Sequence, residues 1–144
     1  TMQRASAAAP PALGGATVAG FAIEGVSIAG QETCIIFPAL RLAFDIGRCP
    51  QRAVFQELLL LSHAHMDHLG GVPFHVASRG LLKLPSPRVV VPPTNAAAVA
   101  RLLEVQRELD GSELECTLVP LSPPPVRSEP LHSLHLPPRL CSRG

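Results

Sequence analysis

Three histidines and one aspartate occur within the six residues HAHMDH, which follow the apolar run Leu58 to Leu61. A run that short and that apolar predicts a strand buried on both faces. If the chain stays extended as it leaves this strand, alternate side chains point to the same side of the backbone. His63 and His65 then share one side, and Asp67 joins them if the extended geometry continues. Two imidazoles therefore converge at the end of a buried strand.

His68 directly follows Asp67, so it joins this group only if the chain bends there. The glycine pair at 70 and 71 is consistent with a turn into a short helix. Imidazole nitrogen and carboxylate oxygen suit zinc and, less selectively, manganese or iron. One histidine near a strand end is more often a hydrogen-bonded structural residue, but a cluster this dense favours metal binding. We predict four ligands in two pairs, His63 with His65 and Asp67 with His68.

Short β-like runs precede the motif and must position it. Thr33 to Phe37 and Leu40 to Ile46 flank the pair Pro38-Ala39, which predicts a tight turn and therefore a hairpin. Phe21 to Glu24 predicts a further strand before them. Asp45 lies at the end of the hairpin, where an aspartate can also form a simple Asx turn.

The chain after the motif predicts alternating helices and strands. Val72 to Ser78 predicts a helix interrupted near its proline, with His75 as a packed or surface residue. Arg88 to Val91 and Leu114 to Val119 predict strands, and Thr94 predicts the N-cap of the helix between them. This helix has one apolar stripe, formed by Ala98, Leu102, Val105 and Leu109. Strand, helix and strand in this order indicate a βαβ unit and hence an α/β fold with helices outside the sheet.

Composition sets the size and the class of the protein. A chain of 144 residues with 47% apolar and 16% charged residues predicts one modest globular domain. The net charge of +1 excludes a general nucleic-acid signal. From Arg41 to Arg88, however, the sequence contains six basic and three acidic residues. The local net charge is therefore positive, as binding of a polyanionic substrate requires. No apolar run approaches the length of a membrane span.

The two ends of the chain differ from its middle. Residues 1–19 are small and Pro-containing and predict a disordered leader, similar both to an organelle transit peptide and to a low-complexity segment. Residues 20–121 predict the folded domain. Residues 122–144 predict an irregular tail, because the last 25 positions hold seven prolines without any strand or helix period. Four cysteines without a regular framework indicate free thiols and a reducing compartment.

The phrases GFAIEGVSIAGQETCIIFPALRLAFDIGRCP and LLLLSHAHMDHLGGVPFHVASRG resemble ribonuclease Z (tRNase Z), short form, especially the plant enzymes. H-x-H-x-D-H after an apolar strand is similar to the signature of the metallo-β-lactamase superfamily. The resemblance runs from about Gly20 to Leu121. It implies an α/β chain that forms the N-terminal half of an αβ/βα metallo-β-lactamase sandwich. The fold is then incomplete, as in a truncated or frame-shifted product.

The resemblance also implies a zinc-dependent endoribonuclease that removes the 3′ trailer from precursor tRNA, here truncated and impaired. His63 and His65 hold a first zinc ion and Asp67 and His68 a second, with Asp67 also the general base and Asp45 positioning the motif loop. His132 and His135 lie in surroundings that do not resemble the family's later motifs, so neither is expected to serve as a later ligand of the family. RNA contacts are expected at Arg48, Arg52 and Arg79.

Other properties follow from the same resemblance. The expected partners are precursor tRNA and a second copy in a homodimer, with no membrane. The expected location is the cytoplasm or nucleus, with the chloroplast or mitochondrion as the alternative. Two other functions remain open. The same motif serves hydrolases of esters, thioesters or cyclic phosphodiesters, and a partial domain can be a non-catalytic fragment.

Overall fold

A seven-stranded mixed sheet organises residues 13–122, which are the residues that the computed structural model describes. The strands follow one another across the sheet in chain order: β1 Gly14–Val18, β2 Phe21–Ile28, β3 Glu32–Phe37, β4 Leu42–Phe44, β5 Leu58–Leu60, β6 Arg88–Val91 and β7 Thr117–Pro120. Three α-helices lie between the later strands: α1 Met66–Leu69, α2 Val72–Leu81 and α3 Ala96–Asp110. The predicted α/β class is confirmed.

The sheet changes from antiparallel to parallel at its middle. Strands β1 to β4 pair antiparallel, and β4 to β7 pair parallel. The predicted hairpin is β3 and β4, joined by a 3-10 turn at Pro38–Leu40 with Arg41 in the left-handed region at φ 52°. The predicted βαβ unit is β6, α3 and β7. Because β4, β5 and β6 run parallel, their carboxyl ends lie at the same edge of the sheet.

One face of the sheet forms the core and the other remains partly open. On the inner face, Ile36, Ala43, Leu59 and Val89 are fully buried in one cluster with Val72, Val76, Val99 and Leu103 of α2 and α3. On the outer face, an apolar row crosses five strands in register. Its members are half-buried or exposed: Ile35, Phe44, Leu60, Val90 and Val119. The prediction that β5 is buried on both faces is therefore correct for one face only, since Leu59 is fully buried and Leu58 and Leu60 are half-buried.

The ordered sheet begins earlier than the sequence predicted. Strand β1 lies inside the segment that we assigned to a disordered leader, and it pairs with β2 from Gly14 opposite Gly25 to Val18 opposite Phe21. The residues of β1 are all exposed. Their order therefore comes from backbone hydrogen bonds, which leave no apolar pattern in the sequence. Residues 1–12 and the predicted tail from residue 123 onward lie outside the described residues.

Helix α3 presents a different face to the core from the predicted one. Val99 and Leu103 are buried, whereas Leu102, Val105 and Leu109 are 38%, 52% and 76% exposed. The helix contains a second series at spacing i, i+4, one position later, and the core packs against that series. The predicted N-cap at Thr94 is also wrong, because a 3-10 turn at Pro93–Asn95 precedes the helix and no side chain caps it.

Helix α2 is longer than predicted and is not interrupted. Its proline lies in the first turn, where a missing N–H costs no hydrogen bond. His75 is the packed residue rather than the surface one, with no exposed area. Among residues 13–122, no helix has both the length and the apolar character that a membrane crossing requires.

Candidate metal centre at the end of strand β5

The motif histidines lie at the carboxyl end of β5, between the ends of β4 and β6. The chain continues extended through His63 to His65, where φ is −69° and ψ is 149°, and then turns into α1 at Met66. The sequence predicted that His68 joins the group only if the chain bends at this point, and the structure contains that bend. It places Asp67 and His68 in a single helical turn beside the two extended histidines.

The first predicted ligand pair is closely spaced. His63 Nε2 lies 3.0 Å from His65 Nδ1, and the two rings are nearly perpendicular, at 81°. The ring centroids of His63 and His68 are only 3.9 Å apart. The extended backbone therefore places both imidazoles of the pair on one side, as alternation requires, and brings the helical histidine against them.

The second predicted pair faces the same space. His68 Nε2 lies 3.6 Å from Asp67 Oδ2. The same carboxylate oxygen accepts a hydrogen bond of 2.8 Å from the backbone N–H of Gly30, in the turn between β2 and β3. This N–H is the main cause that lowers the pKa of Asp67, and His68 and His65 lower the pKa further. The carboxylate is therefore held in its ionised form.

Asp45 lies beneath the cluster and is 5% exposed. It follows β4 in the left-handed region at φ 56°, which aspartate tolerates better than most residues. Its carboxylate accepts the Ser62 N–H at 2.8 Å and lies 2.9 Å from His68 Nδ1. A carboxylate that holds the second nitrogen of a histidine is the usual support behind a metal ligand. The contacts of Asp45 are of this supporting kind.

The donor set suits zinc, although its atoms contact one another in this structure. In the described part of the chain, no three histidine, cysteine, aspartate or glutamate side chains converge on a common point. Two nitrogen ligands of one tetrahedral zinc ion lie about 3.3 Å apart, given Zn–N bonds of about 2.0–2.1 Å. The 3.0 Å between His63 and His65 is close to this value. A small outward movement of the side chains is all that the first pair needs.

The predicted RNA-binding arginines divide into exposed and buried residues. Arg48 is exposed in the loop after β4. Arg52 is also exposed, but its guanidinium forms an ion pair with Glu24. Arg79 is 1% exposed, and the prediction that it contacts RNA is wrong. Its guanidinium donates to the carbonyl oxygens of Val54, Gln56 and Pro85, at 2.7 to 3.1 Å.

Arg79 therefore has a structural role, which its spacing indicated. It continues the series Val72, His75 and Val76 at the i, i+3, i+4 and i+7 positions that face the core. An arginine in such a stripe reaches either solvent or buried acceptors. Here it supplies donors to three carbonyl groups in two segments, the connection between β4 and β5 and the loop before β6.

Two contributors to the site were missed in the sequence. Ser62 precedes the motif, and its hydroxyl lies within 3.0 Å of both Asp45 carboxylate oxygens and 2.9 Å from His63 Nδ1. The position of Ser62 directly before the motif was the signal that the sequence offered for this role. Gly30 lies in the turn between β2 and β3 and contacts Asp67 from 37 positions away, where α1 packs against β3. No local pattern reports such a contact.

Relatives among curated proteins share about half or more of their aligned residues with this chain. The nuclear ribonuclease Z of Triticum aestivum is 58% identical over 104 residues, which are 72% of this chain and 59% of that protein. The tRNase Z TRZ1 of Arabidopsis thaliana is 57% identical over 104 residues, or 72% of this chain and 37% of that protein. Over 72% of its length, this chain is therefore similar to proteins named ribonuclease Z and tRNase Z.

The ribonuclease Z relationship agrees with the mixed α/β sheet and confirms the expected metallo-β-lactamase fold for part of a domain. A further relative, the chloroplastic tRNase Z TRZ2 of Arabidopsis thaliana, is 49% identical over 108 residues, which are 75% of this chain and 30% of that protein. The chain thus spans between 30% and 59% of the length of these relatives. No protein-family model matches it.

Proposed function

We propose that this chain carries the first part of the active site of a zinc-dependent endoribonuclease, which removes the 3′ trailer from precursor tRNA. The observation that supports this most is the cluster of three imidazoles and one carboxylate at the end of β5. It occurs in a chain whose relatives are named ribonuclease Z and tRNase Z. The spacing and the family name point to the same chemistry.

In this proposal, His63 and His65 hold one zinc ion and Asp67 and His68 hold the second. Bound zinc supplies Lewis acidity, which acidifies water and offsets negative charge on the attacked phosphate. The chain itself contributes orientation, since Asp45 and Ser62 fix the rings of His68 and His63 from behind. Ligands fixed in this way lose less conformational freedom when they bind a metal ion.

Asp67 is the proposed general base. Its Oδ2 atom is oriented by the Gly30 N–H and faces the imidazoles, so the carboxylate is held ionised where it can take a proton from an attacking water. The lowered pKa limits its basicity but keeps the charged form available at neutral pH. Asp67 thus combines a ligand role with a proton-accepting role.

RNA binding is proposed for Arg48 and, more weakly, for Arg52, because both guanidinium groups are exposed and lie in the loop after β4. Arginines contact phosphate groups through paired N–H donors, which favours the RNA backbone over the bases. The ion pair with Glu24 makes Arg52 less available than Arg48.

Further features of the proposal rest on the resemblance stated above and on the names of the relatives. Assembly with a second copy as a homodimer is the expected oligomeric state. The relatives include a nuclear and a chloroplastic protein, so the nucleus and the chloroplast are the locations that their names favour. The cytoplasm and the mitochondrion are the other two that the sequence left open.

The test uses the 144-residue chain purified with zinc. We expect native mass spectrometry to show retained zinc, and we expect slow cleavage at the 3′ trailer of a precursor tRNA that chelation abolishes. H63A and D67N should remove both signals, whereas F74A, a change at an exposed helix position, should retain them. Cleavage of a small ester alone would support another hydrolase of this fold. Absence of both zinc and cleavage would overturn the proposal in favour of a non-catalytic fragment.

A further inference from the structure

The Ser62 hydroxyl connects two parts of the cluster. It lies 2.8 Å from Asp45 Oδ2, 3.0 Å from Asp45 Oδ1 and 2.9 Å from His63 Nδ1. Asp45 Oδ2 lies in turn 2.9 Å from His68 Nδ1. One hydroxyl and one carboxylate thus link a histidine of the first predicted ligand pair to a histidine of the second.

Counting protons assigns the direction of these hydrogen bonds. A serine hydroxyl has a single hydrogen, and a carboxylate only accepts. Ser62 therefore donates its hydrogen to Asp45. In its contact with His63 Nδ1, the Ser62 hydroxyl must therefore accept a hydrogen bond, so His63 Nδ1 carries a hydrogen. A neutral imidazole carries only one N–H, so the lone pair of His63 is on Nε2, which faces His65 Nδ1 at 3.0 Å.

The same count applies to His68. Its Nδ1 atom faces an acceptor, Asp45 Oδ2, and must carry the hydrogen, so the lone pair is on Nε2. His63 Nε2 and His68 Nε2 both face the space between the imidazoles, next to His65 and Asp67. Both rings thus present an electron pair, rather than a hydrogen, to the place where a metal ion would bind.

We propose that Ser62 is a positioning residue that fixes the tautomer of His63 and, through Asp45, couples it to that of His68. The effect on zinc binding rests on the proposed function, but the tautomer assignment does not. Without the hydroxyl, His63 Nδ1 loses its hydrogen-bond acceptor, and the hydrogen is free to move to Nε2, where it blocks the lone pair. Support of this kind is worth about 10- to 100-fold in metal affinity.

The test compares S62A with S62T, which keeps a hydroxyl, and with S78A, a serine change on α2 away from the cluster. Long-range ¹⁵N–¹H correlation spectra of the zinc-free full chain, recorded at about pH 8.5 and thus two units above the ordinary histidine pKa, report which nitrogen carries the hydrogen. We expect Nδ1–H at His63 in the wild type, S62T and S78A, and its loss in S62A. We expect the zinc dissociation constant of S62A to rise about 10- to 100-fold.

Two results would overturn the positioning role. One is a wild-type His63 with its hydrogen on Nε2. The other is an S62A variant with an unchanged tautomer and unchanged zinc affinity, even if its stability falls, since that would leave Ser62 a purely structural residue. If the tautomer responds as expected while no precursor tRNA is cleaved, the positioning role is supported and the proposed function fails separately.

Discussion

Gly47 packs so closely against the backbone of Asp67 that a Cβ atom at Gly47 would overlap the Asp67 carbonyl group. The neighbouring residue strengthens this contact, because the Ile46 N–H donates to the His68 carbonyl at 2.6 Å. Gly47 itself donates to the Thr33 carbonyl at 3.0 Å. The loop after β4 is therefore the support on which α1 rests, and it sets the position of the second predicted ligand pair.

Replacing this glycine should disturb the site at a distance from any ligand. In G47A, the methyl group must displace the Asp67 backbone, so we expect at least a tenfold loss of zinc affinity together with reduced stability. Isothermal titration with zinc and urea unfolding measure the two effects. G80A is the matched control, since Gly80 is an exposed helix position with open space around it. It should retain zinc affinity and gain up to about 1 kcal/mol in stability. Wild-type zinc affinity in G47A would contradict the contact.

Asp45 should stabilise the site through the hydrogen-bond acceptors that its carboxylate supplies. In D45A, the Ser62 N–H and His68 Nδ1 both lose their acceptor inside the protein, which should cost about 2–3 kcal/mol of unfolding free energy and about 10- to 100-fold in zinc affinity. D45N tolerates the left-handed backbone and keeps one oxygen, so we expect a smaller loss of stability. Equal stability of D45A and D45N would show that the oxygen retained in D45N contributes little.

Substitutions of Arg79 and Arg48 should distinguish a structural arginine from an RNA-binding arginine. R79A leaves the carbonyl groups of Val54, Gln56 and Pro85 without their donor, the first two in buried contacts, and we expect a loss of about 3 kcal/mol in urea unfolding. R48A should change stability by less than about 0.5 kcal/mol because its side chain is exposed. It should instead weaken binding of precursor tRNA. The slope of log Kd against the logarithm of the salt concentration should fall by about one unit. If R79A weakened RNA binding without loss of stability, and R48A lost stability without weaker RNA binding, Arg79 would be assigned to RNA binding instead.

His75 should make the fold sensitive to mild acid. It is fully buried, and neither ring nitrogen has a hydrogen-bond partner. Burial, with a smaller effect of Arg79, lowers the pKa of His75 from 6.5 to about 4. The unfolded chain therefore binds a proton that the folded chain excludes.

The consequence is a loss of stability as pH falls. The contribution of His75 is complete above about pH 6.5, decreases as pH falls toward about 4, and levels off below that, for a total of about 3 kcal/mol. H75L removes the ionisable group and should flatten this part of the curve in zinc-free protein. Urea unfolding at several pH values measures the difference between the two proteins. Parallel curves for wild type and H75L would contradict the assignment.

The sequence predicted what depends on neighbouring residues and missed what depends on distant ones. Alternation placed His63 beside His65, and the glycines after His68 indicated the bend that completes the cluster. Pro38 marked the hairpin turn. The hydrogen bond from Gly30 to Asp67 joins residues 37 positions apart, and it depends on tertiary packing that no local pattern encodes.

Two errors had a different origin, because the local pattern was ambiguous. Helix α3 carries two overlapping apolar series, and only packing selects the one that contains Val99 and Leu103. Arg79 was assigned by its charge, although its helical position faced the core. A long side chain can satisfy buried carbonyl groups at such a position, and the tertiary structure supplies them.

The outer apolar row from Ile35 to Val119 has a consequence for how this chain behaves in a cell or a test tube. Holdase chaperones bind contiguous, partly exposed hydrophobic surfaces of this kind. Such surfaces also promote self-association as the protein concentration rises. We therefore expect the steady-state amount of the isolated polypeptide to be governed by proteostasis, and its recovery from an expression host to depend on dilution and mild detergents rather than on the metal supplied.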